Sequence, residues 1–204
     1  MDTVICAVAG LSSRMGQYKP LLPLGESTII RTLIERYRSC GIEQVILVTG
    51  HNAELLEKHV ADLGVRCYRN DRYATSDMLE SVKIGLRAYL EEGESPCEDD
   101  RILLTPGDIP LVRASTVARV LEAEAETCAP TMDGMRGHPL RLSRRAVEQI
   151  LPYEGDGGLK GALVALGIDV EPIPVDDPGM LVDADTPQDY ERLQALFREL
   201  YEQK

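Results

Sequence analysis

The sequence has no tryptophan, a single phenylalanine and few basic residues for its length. Of its 204 residues, 22 are lysine or arginine and 34 are aspartate or glutamate, which gives a formal net charge of −12 at pH 7. Proteins that bind nucleic acid normally present a basic face to the phosphates, so we expect no nucleic-acid partner. A smaller phosphate ligand would need a local basic pocket or a metal ion to neutralise its charge.

Long apolar runs are also missing. No stretch approaches the roughly 18 uncharged apolar residues of a membrane-spanning helix, so we expect no membrane partner. Asp2 stands where an export signal would carry positive charge, which predicts a cytoplasmic protein without a signal peptide. The cysteines are odd in number and form no CxxC pair, so we expect unpaired thiols. They are Cys6, Cys40, Cys67, Cys97 and Cys128.

Short apolar runs alternate with helical patterns along most of the chain. Near-continuous apolar runs predict buried strands at 3–9, 44–50, 65–70 and 101–108. Apolar residues at helical spacing predict helices at 27–40, 52–64, 76–93 and 114–126, the last including a solvated acidic stretch at 122–126. This alternation predicts a single α/β domain over residues 1–204, with a mostly parallel sheet covered by helices on both faces.

Beyond residue 126 the elements become shorter. We expect short strands within 128–132 and 138–142, short helices near 143–151 and 158–166, and an edge strand at 168–175. These elements predict a small β-rich lobe over about 127–175, inserted in the single domain. The final helix has Thr186 as its N-cap, Pro187 at its first position and Asp189 where a capping box places an acidic residue.

The loop after the first strand, AVAGLSSRMGQYKPLLPLG at 7–25, contains Gly10 and Gly16 followed by Gly25 at its end, together with Ser12, Ser13, Arg14 and Lys19. A Gly-rich loop at the carboxyl end of the first strand is where open α/β sheets bind nucleotides. Neither the GxGxxG fingerprint nor the Walker A spacing is present, which argues against a dinucleotide-dependent oxidoreductase. The residues alone leave open a simple turn with two solvated cations.

Two acidic motifs could hold a metal ion. Asp108 follows the strand at 101–108 in TPGDIPLV, and Asp183 and Asp185 alternate in LVDADTPQDY. Carboxylates at the carboxyl end of a strand can ligate Mg²⁺. The alternative for Asp108 is a cap before the helix at 114, and for the other pair a cap of the last helix.

The loop resembles the signature LAAGxSxRMGxxKxLLPL of the MobA-like nucleotidyltransferases, and within that family it is most similar to the molybdenum cofactor cytidylyltransferases. The resemblance implies a three-layer Rossmann-like nucleotidyltransferase fold. It implies that the backbone of Ala9, Gly10 and Leu11 contacts the base, and that Arg14 and Lys19 hold the triphosphate. Val8 and Pro20 depart slightly from the signature, and Ala9-Gly10 in place of Gly-Gly favours CTP over GTP.

The resemblance also assigns the two acidic motifs. Asp108 would act in catalysis as a Mg²⁺ ligand, with Asp185 as the favoured second ligand and Asp183 as the alternative. The acceptor would be a phosphate monoester. Because its second pKa is about 6, it is ionised at neutral pH and can act as a nucleophile without a general base. In-line attack on the α-phosphorus then depends on positioning and on charge neutralisation more than on covalent help from the protein.

Three further segments are candidates for substrate recognition. Ser81, in NDRYATSDMLESVKIGL, could reach the ribose or base, and Asp77 is there either a substrate contact or a helix cap. His138 in RGHPLRL would face the cleft, although a lone histidine can equally be structural. Asp156 and Lys160 lie in GDGGLKGAL at the start of a helix, where an anion is favoured, and a plain surface loop is the alternative.

The implied reaction is Mg²⁺-dependent transfer of CMP from CTP to a molybdopterin phosphate, with release of pyrophosphate. Transient contact with a molybdoenzyme or its chaperone would follow from that product. One alternative keeps the chemistry and uses GTP, or a sugar phosphate or other small phosphate as acceptor. The alternative from another class is a noncatalytic protein that binds the nucleotide or the cofactor.

Overall fold

The computed structural model describes residues 2–11, 14–92 and 100–201, so the expectations for Ser12, Ser13 and Cys97 lie outside the described residues. Its strands are β1 (Asp2–Ala7), β2 (Pro23–Leu24), β3 (Ser27–Thr28), β4 (Gln44–Thr49), β5 (Arg66–Arg69), β6 (Arg101–Pro106), β7 (Cys128–Met132), β8 (Met135–Arg136), β9 (Leu140–Leu142) and β10 (Glu171–Pro174). Its helices are α1 (Ile29–Ser39), α2 (Ala53–His59), α3 (Met78–Glu92), α4 (Ala114–Glu122), α5 (Arg144–Ile150), α6 (Gly158–Ala165) and α7 (Pro187–Tyr201).

The main sheet has the strand order β10-β7-β9-β6-β1-β4-β5, with β8 paired to β7. Strand β1 pairs in parallel with β4 and β6, and β4 pairs in parallel with β5. Strand β9 is antiparallel to both β6 and β7, so β7 runs in the same direction as β6. The carboxyl ends of β1, β4, β6 and β7 therefore lie at one edge of the sheet, and the predicted mostly parallel α/β sheet is confirmed.

Both faces of the sheet are covered, as the apolar strands require. Val4 and Ile5 of β1 are almost fully buried on opposite faces, because successive side chains of a strand point to opposite sides. Helices α1 and α4 pack on the side of Val4, while α3, α5 and α6 pack on the side of Ile5. A third apolar cluster, which includes Leu24 and Leu193, joins α7 to the β2–β3 hairpin.

Residues 127–175 extend this sheet. They supply β7, β9 and β10 together with α5 and α6, and β10 ends the sheet as the predicted edge strand. That they form an acceptor lobe of the single domain stays a prediction.

Several predicted helices are shorter in the structure, and the one expected at 52–64 ends as an α-helix at His59. The helix expected at 27–40 begins at Ile29, because Ser27–Thr28 pairs with Pro23–Leu24 around Gly25, whose φ is 59°. The helix expected at 114–126 ends at Glu122, so the acidic stretch is not a helix face. Buried Arg141 donates hydrogen bonds to backbone carbonyls between Val120 and Glu126, which satisfies the end of α4 there.

The capping box of the last helix is confirmed. The Asp189 N–H donates to Thr186 Oγ1 at 3.2 Å, and the Thr186 N–H donates to Asp189 Oδ2 at 3.1 Å. Each side chain thus satisfies a backbone donor of the other at the start of α7. Because Thr186 and Asp189 cap this helix, the carboxylates of Asp183 and Asp185 are not needed as its caps.

Cys6, Cys40, Cys67 and Cys128 are free thiols. Helices α3 and α7 have 15 residues each. Within the described residues, no helix is long and apolar enough to span a membrane.

Candidate active site

A cleft of about 260 Å³ opens at the carboxyl edge of the sheet, next to the loop that follows β1. We call it the β1 cleft. It is lined by Ala7, Val8, Gly10, Leu11, Arg14, Lys19, Pro20, Met78, Pro106, Gly107, Asp108 and Asp185. Segments that are far apart in the sequence meet here because β1 and β6 are neighbours in the sheet.

Lys19 lies between the two predicted metal-binding carboxylates. Its Nζ is 3.1 Å from Asp108 Oδ2 and also donates to Asp185 Oδ1, while Arg14 Nη2 is 2.7 Å from Asp185 Oδ2. The Lys19 side chain is only 13% exposed, so this interaction is shielded from bulk water. Asp108 does not cap α4, whose N-cap is Arg113, and that alternative is wrong. The structure thus brings the four residues together.

The pKa shifts show how these charges act on one another. Burial lowers the pKa of Lys19, but its bonds to Asp185 and Asp108 and their charges outweigh burial, so the pKa is raised overall. The hydrogen bond from Lys19 lowers the pKa of Asp185, with a further contribution from Arg14. Burial and the charges of Asp108 and Asp185 raise the pKa of Asp183. The folded protein therefore disfavours the charged form of Asp183.

This donor set fits a divalent cation of the Mg²⁺ type. Asp108 and Asp185 already hold one cationic group between them, and carboxylate oxygens are the ligands that Mg²⁺ prefers. Across residues 2–11, 14–92 and 100–201, no three His, Cys, Asp or Glu side chains are grouped as a complete metal site. Mg²⁺ commonly takes one or two carboxylates and completes its shell with water and substrate phosphates, which two carboxylates beside an open cleft allow.

Asp183→Asn is expected to stabilise the ligand-free protein at pH 7 by about 0.5–1 kcal/mol, because it removes a charge that burial and the carboxylates of Asp108 and Asp185 disfavour. The pKa of Asp183 is raised in the folded protein, so the charged carboxylate destabilises the fold. This destabilisation is complete above the folded pKa and vanishes below the unfolded value of about 3.9. Denaturant unfolding of both proteins between pH 3 and pH 8 measures the difference. Equal stability at pH 7, or a difference that grows toward pH 3, would contradict the assignment.

The two glycines that line the β1 cleft differ in their surroundings. Among the described residues, a Cβ built at Gly10 would meet nothing within 4 Å, and the Gly10 backbone is not in the left-handed region. At Gly107, on the other wall of the β1 cleft, a Cβ would lie 1.9 Å from Val8 Cγ1. Internal packing therefore requires a glycine at 107, whereas the described residues leave room for a side chain at position 10.

Gly10→Ala is expected to leave the melting temperature unchanged or slightly higher, since alanine also reduces the entropy of the unfolded chain. It should weaken nucleotide binding by about tenfold, which is about 1.4 kcal/mol. Gly107→Ala is the matched comparison and should destabilise the fold by about 1–3 kcal/mol through overpacking. Calorimetric titration with nucleotide and thermal unfolding separate the two effects. A Gly10→Ala protein that binds nucleotide like wild type would remove this argument for a ligand at Gly10.

The segment that leads to Asp185 is anchored by Asp177, which the sequence analysis missed. Asp177 is fully buried and accepts hydrogen bonds from the Arg113 N–H at 2.8 Å, Thr116 Oγ1 at 2.7 Å and the Gly179 N–H at 3.0 Å. It thereby caps α4 and fixes the 3-10 helix at Pro178–Met180. Its sequence context, VDDPG, suggests only a turn.

Asp177→Ala is expected to lower the free energy of unfolding by about 3 kcal/mol or more. Three donors, which are two N–H groups and one hydroxyl in or near the core, lose their acceptor. Asp176→Ala, at an exposed neighbouring position, is the matched control and should change stability by less than about 0.5 kcal/mol. Chemical denaturation of the two variants measures the contrast. Similar unfolding free energies would show that Asp177 is not an anchor.

The predicted recognition residues are more scattered. Ser81 is 4% exposed and accepts a hydrogen bond from Asn70 Nδ2 at 3.0 Å, so it supports the loop before α3 and does not line the β1 cleft. Asp77 caps α3, accepting from the Glu80 N–H at 3.2 Å. Its neighbour Met78 is 58% exposed on the rim of the β1 cleft.

His138, Asp156 and Lys160 lie away from the β1 cleft. His138 and Lys160 line a second, larger cavity of about 1,470 Å³ between α6 and the β7–β9–β10 end of the sheet. Burial lowers the pKa of His138, offset in part by the Leu104 backbone and by the charge of Asp108. Asp156 is exposed just before α6.

An aromatic cluster around His51 supports the loop of the β1 cleft. The His51 ring packs against Tyr18 and Tyr73, with centroids 5.9 Å apart in each pair. The backbone N–H of His51 donates to the Ala9 carbonyl at 3.1 Å. The cluster thus ties together the loop that contains Gly10 and the turn that presents Lys19. No periodic pattern in the sequence signals it.

A mostly parallel sheet with a Gly-containing loop after its first strand, and a lysine between two aspartates at the same edge, is typical of nucleotide-binding α/β proteins. The chain belongs to the family with the MobA-like NTP transferase domain, which matches residues 4–170. It is therefore a nucleotidyltransferase, and the predicted family and fold are confirmed.

Individual relatives cover nearly the whole chain. The molybdenum cofactor cytidylyltransferase of Escherichia coli K12 is 29% identical over 203 residues, which are 98% of each protein. A nucleotidyl transferase from Methanothermobacter superposes with a TM-score of 0.82 at 26% identity, covering 98% of this chain and 99% of that one. Rv0371c of Mycobacterium tuberculosis superposes with a TM-score of 0.78 at 26% identity, covering 95% of this chain and 97% of that one.

Proposed function

We propose that this chain transfers CMP from CTP to the phosphate of a molybdopterin-type acceptor and releases pyrophosphate, with Mg²⁺ as cofactor. The observation that carries the proposal is Lys19 held between Asp108 and Asp185 beside the open wall at Gly10. The near full-length similarity to a cytidylyltransferase supports CTP and molybdopterin as the substrates.

Each residue of the β1 cleft has a role that its position supports. The open space at Gly10 lets a nucleotide approach the backbone of Ala9, Gly10 and Leu11. Arg14 is 71% exposed at the mouth, where its guanidinium can pair with phosphate oxygens in a bidentate way. Lys19 is deeper and supplies a fixed positive charge.

Asp108 and Asp185 would hold the divalent ion, with Asp183 adjacent. When bound, the ion supplies charge neutralisation to the phosphates in the transition state. Lys19 serves as the counter-cation of these carboxylates in the ligand-free protein and as a partner of the triphosphate in the complex. The acceptor phosphate is ionised at neutral pH, so no group of the chain is needed as a general base.

The reaction consumes a nucleoside triphosphate, which is a metabolite of the cytoplasm, and we place the enzyme there. A cytidylylated cofactor would have to be handed to a molybdoenzyme or its chaperone, so we also propose transient contact with such a partner. GTP as donor, or another small phosphate as acceptor, would use the same carboxylates and lysine.

Calorimetric titration with CTP, GTP, ATP and UTP, with and without Mg²⁺, tests the donor. We expect CTP to bind at least tenfold more tightly than GTP, and only with Mg²⁺ present. Equal affinities for CTP and GTP would overturn the base assignment. Pyrophosphate release with molybdopterin and with sugar phosphates tests the acceptor, and tight binding without turnover on any acceptor would indicate a binding protein.

A further inference from the structure

The aromatic cluster of Tyr18, His51 and Tyr73 does not line the β1 cleft, yet it touches two segments that do. Tyr18 directly precedes Lys19 and is the N-cap residue of the 3-10 helix that begins there. His51 follows β4, and its backbone N–H holds the carbonyl of Ala9 in the loop after β1. His51 is the middle ring of the cluster, so it connects that loop to the turn at Lys19.

The main chain that carries His51 is closely packed. A Cβ built at Gly50 would lie 2.8 Å from the Ala9 carbonyl oxygen and 2.7 Å from Tyr73 Cβ, so this segment has no room to move toward either neighbour. Asn52 Nδ2 lies 3.2 Å from His51 Nε2, within hydrogen-bonding distance, which favours one orientation of the imidazole. His51 is therefore a fixed support for the rings beside it.

The Tyr18 ring is held by packing. Its hydroxyl is buried and has no hydrogen-bond partner in the described part of the chain. Burial and the charge of Glu57 raise the pKa of Tyr18, so the phenol is neutral at pH 7. The Tyr18 ring meets the His51 imidazole edge to face, at an interplanar angle of 79°, which is a favoured geometry for an aromatic pair. Without that contact, the hydroxyl offers no bond to keep the ring in place.

The position of the Tyr18 ring matters because Lys19 is the next residue. The Lys19 ammonium lies between Asp108 and Asp185, and contacts of this kind weaken steeply when the distance or the angle changes. A displacement of about 1 Å at a positioning group can cost about 10²-fold in rate. A shift of the main chain at Tyr18 would therefore reach the ammonium directly.

We propose that His51 is a positioning residue: its ring holds Tyr18 and thereby keeps the Lys19 ammonium in place at the carboxylates and at the triphosphate. The inference rests on the proposed function and adds a residue that lies outside the lining of the β1 cleft. His51 acts through Tyr18 and Lys19 and takes no part in the transfer itself.

His51→Ala in the full-length chain tests the proposal by calorimetric titration. We expect CTP with Mg²⁺ to bind about tenfold more weakly than to wild type. Mn²⁺ alone, used as the metal probe without nucleotide, should bind about threefold more tightly, because a less restrained Lys19 competes less well for the carboxylates. His51→Phe keeps an aromatic ring against Tyr18 and should return both affinities to within twofold of wild type.

His59→Ala is the matched control. His59 is another half-buried histidine, bonded to Thr28 at 2.9 Å and outside the β1 cleft, so its loss should leave both affinities within twofold of wild type. Thermal unfolding checks that His51→Ala is folded at the assay temperature. If it is not, His51→Leu, which fills the space without an aromatic ring, takes its place.

A double-mutant cycle separates positioning from a general contribution to the fold. In a Lys19→Met background, His51→Ala should change the affinities for CTP and Mn²⁺ by less than twofold, because its effect passes through Lys19. The same loss of CTP affinity in both backgrounds, or wild-type affinities in His51→Ala, would overturn the inference and leave the proposed function standing. If wild type binds no CTP, the proposed function fails, and the Mn²⁺ titrations still decide whether His51 acts on Lys19.

Discussion

Replacing Asp108 by asparagine is expected to lower kcat by about 10³-fold, because Asp108 is one of the two proposed metal ligands and its loss would cost several kcal/mol of transition-state stabilisation. The amide still accepts a hydrogen bond from Lys19, so the fold should persist. Metal-dependent binding of CTP should weaken much more than the binding measured without metal. Pyrophosphate release and calorimetry at increasing Mg²⁺ concentration measure the two effects.

Asp62→Asn is the matched control for that loss of a carboxylate. Asp62 pairs with Arg31 on the surface and lies outside the β1 cleft. Its replacement should leave kcat and the Mg²⁺ dependence within twofold of wild type. An Asp108→Asn enzyme with wild-type kcat and an unchanged Mg²⁺ requirement would show that Asp108 is not a metal ligand.

Lys19→Met is expected to change metal and nucleotide binding in opposite directions. Without the ammonium between Asp108 and Asp185, the metal alone should bind more tightly, because no internal cation competes for the carboxylates. The triphosphate loses a fixed positive charge, so kcat/KM for CTP should fall by about 10²–10³-fold. Lys19→Arg, which keeps the charge, should recover part of this loss, whereas Lys58→Met should have little effect.

The same variant changes the acid stability of the protein. The pKa of Asp185 is lowered by the hydrogen bond from Lys19, so its contribution to stability is present above the unfolded pKa near about 3.9 and is lost as the pH falls through the folded pKa. In Lys19→Met that contribution should be smaller at pH 7. A stability profile between pH 2 and pH 7 that matches wild type, together with tighter nucleotide binding, would contradict the role of Lys19.

Much of the fold followed from the sequence because its signals are local. Apolar runs defined the strands β1, β4 and β6, and the capping box at Thr186 and Asp189 defined the start of α7. The family signature also identified Gly10 and Lys19 as site residues, and the structure places both on the wall of one cleft.

The contacts that complete the site are not local, which is why the sequence does not show them. Lys19 meets Asp108 and Asp185 across separations of 89 and 166 residues. Asp177 has the sequence context of a turn, yet it is a fully buried cap of a distant helix.

The fate of the α-phosphorus of CTP tests the central claim most directly. With CTP labelled at the α-phosphate, molybdopterin and Mg²⁺, we predict that the label moves to the acceptor, while a label at the γ-phosphate leaves in pyrophosphate. Transfer should be lost without metal and in Asp108→Asn. If CTP binds in the presence of Mg²⁺ and molybdopterin but the α label never reaches the acceptor, the proposed cytidylyl transfer is contradicted.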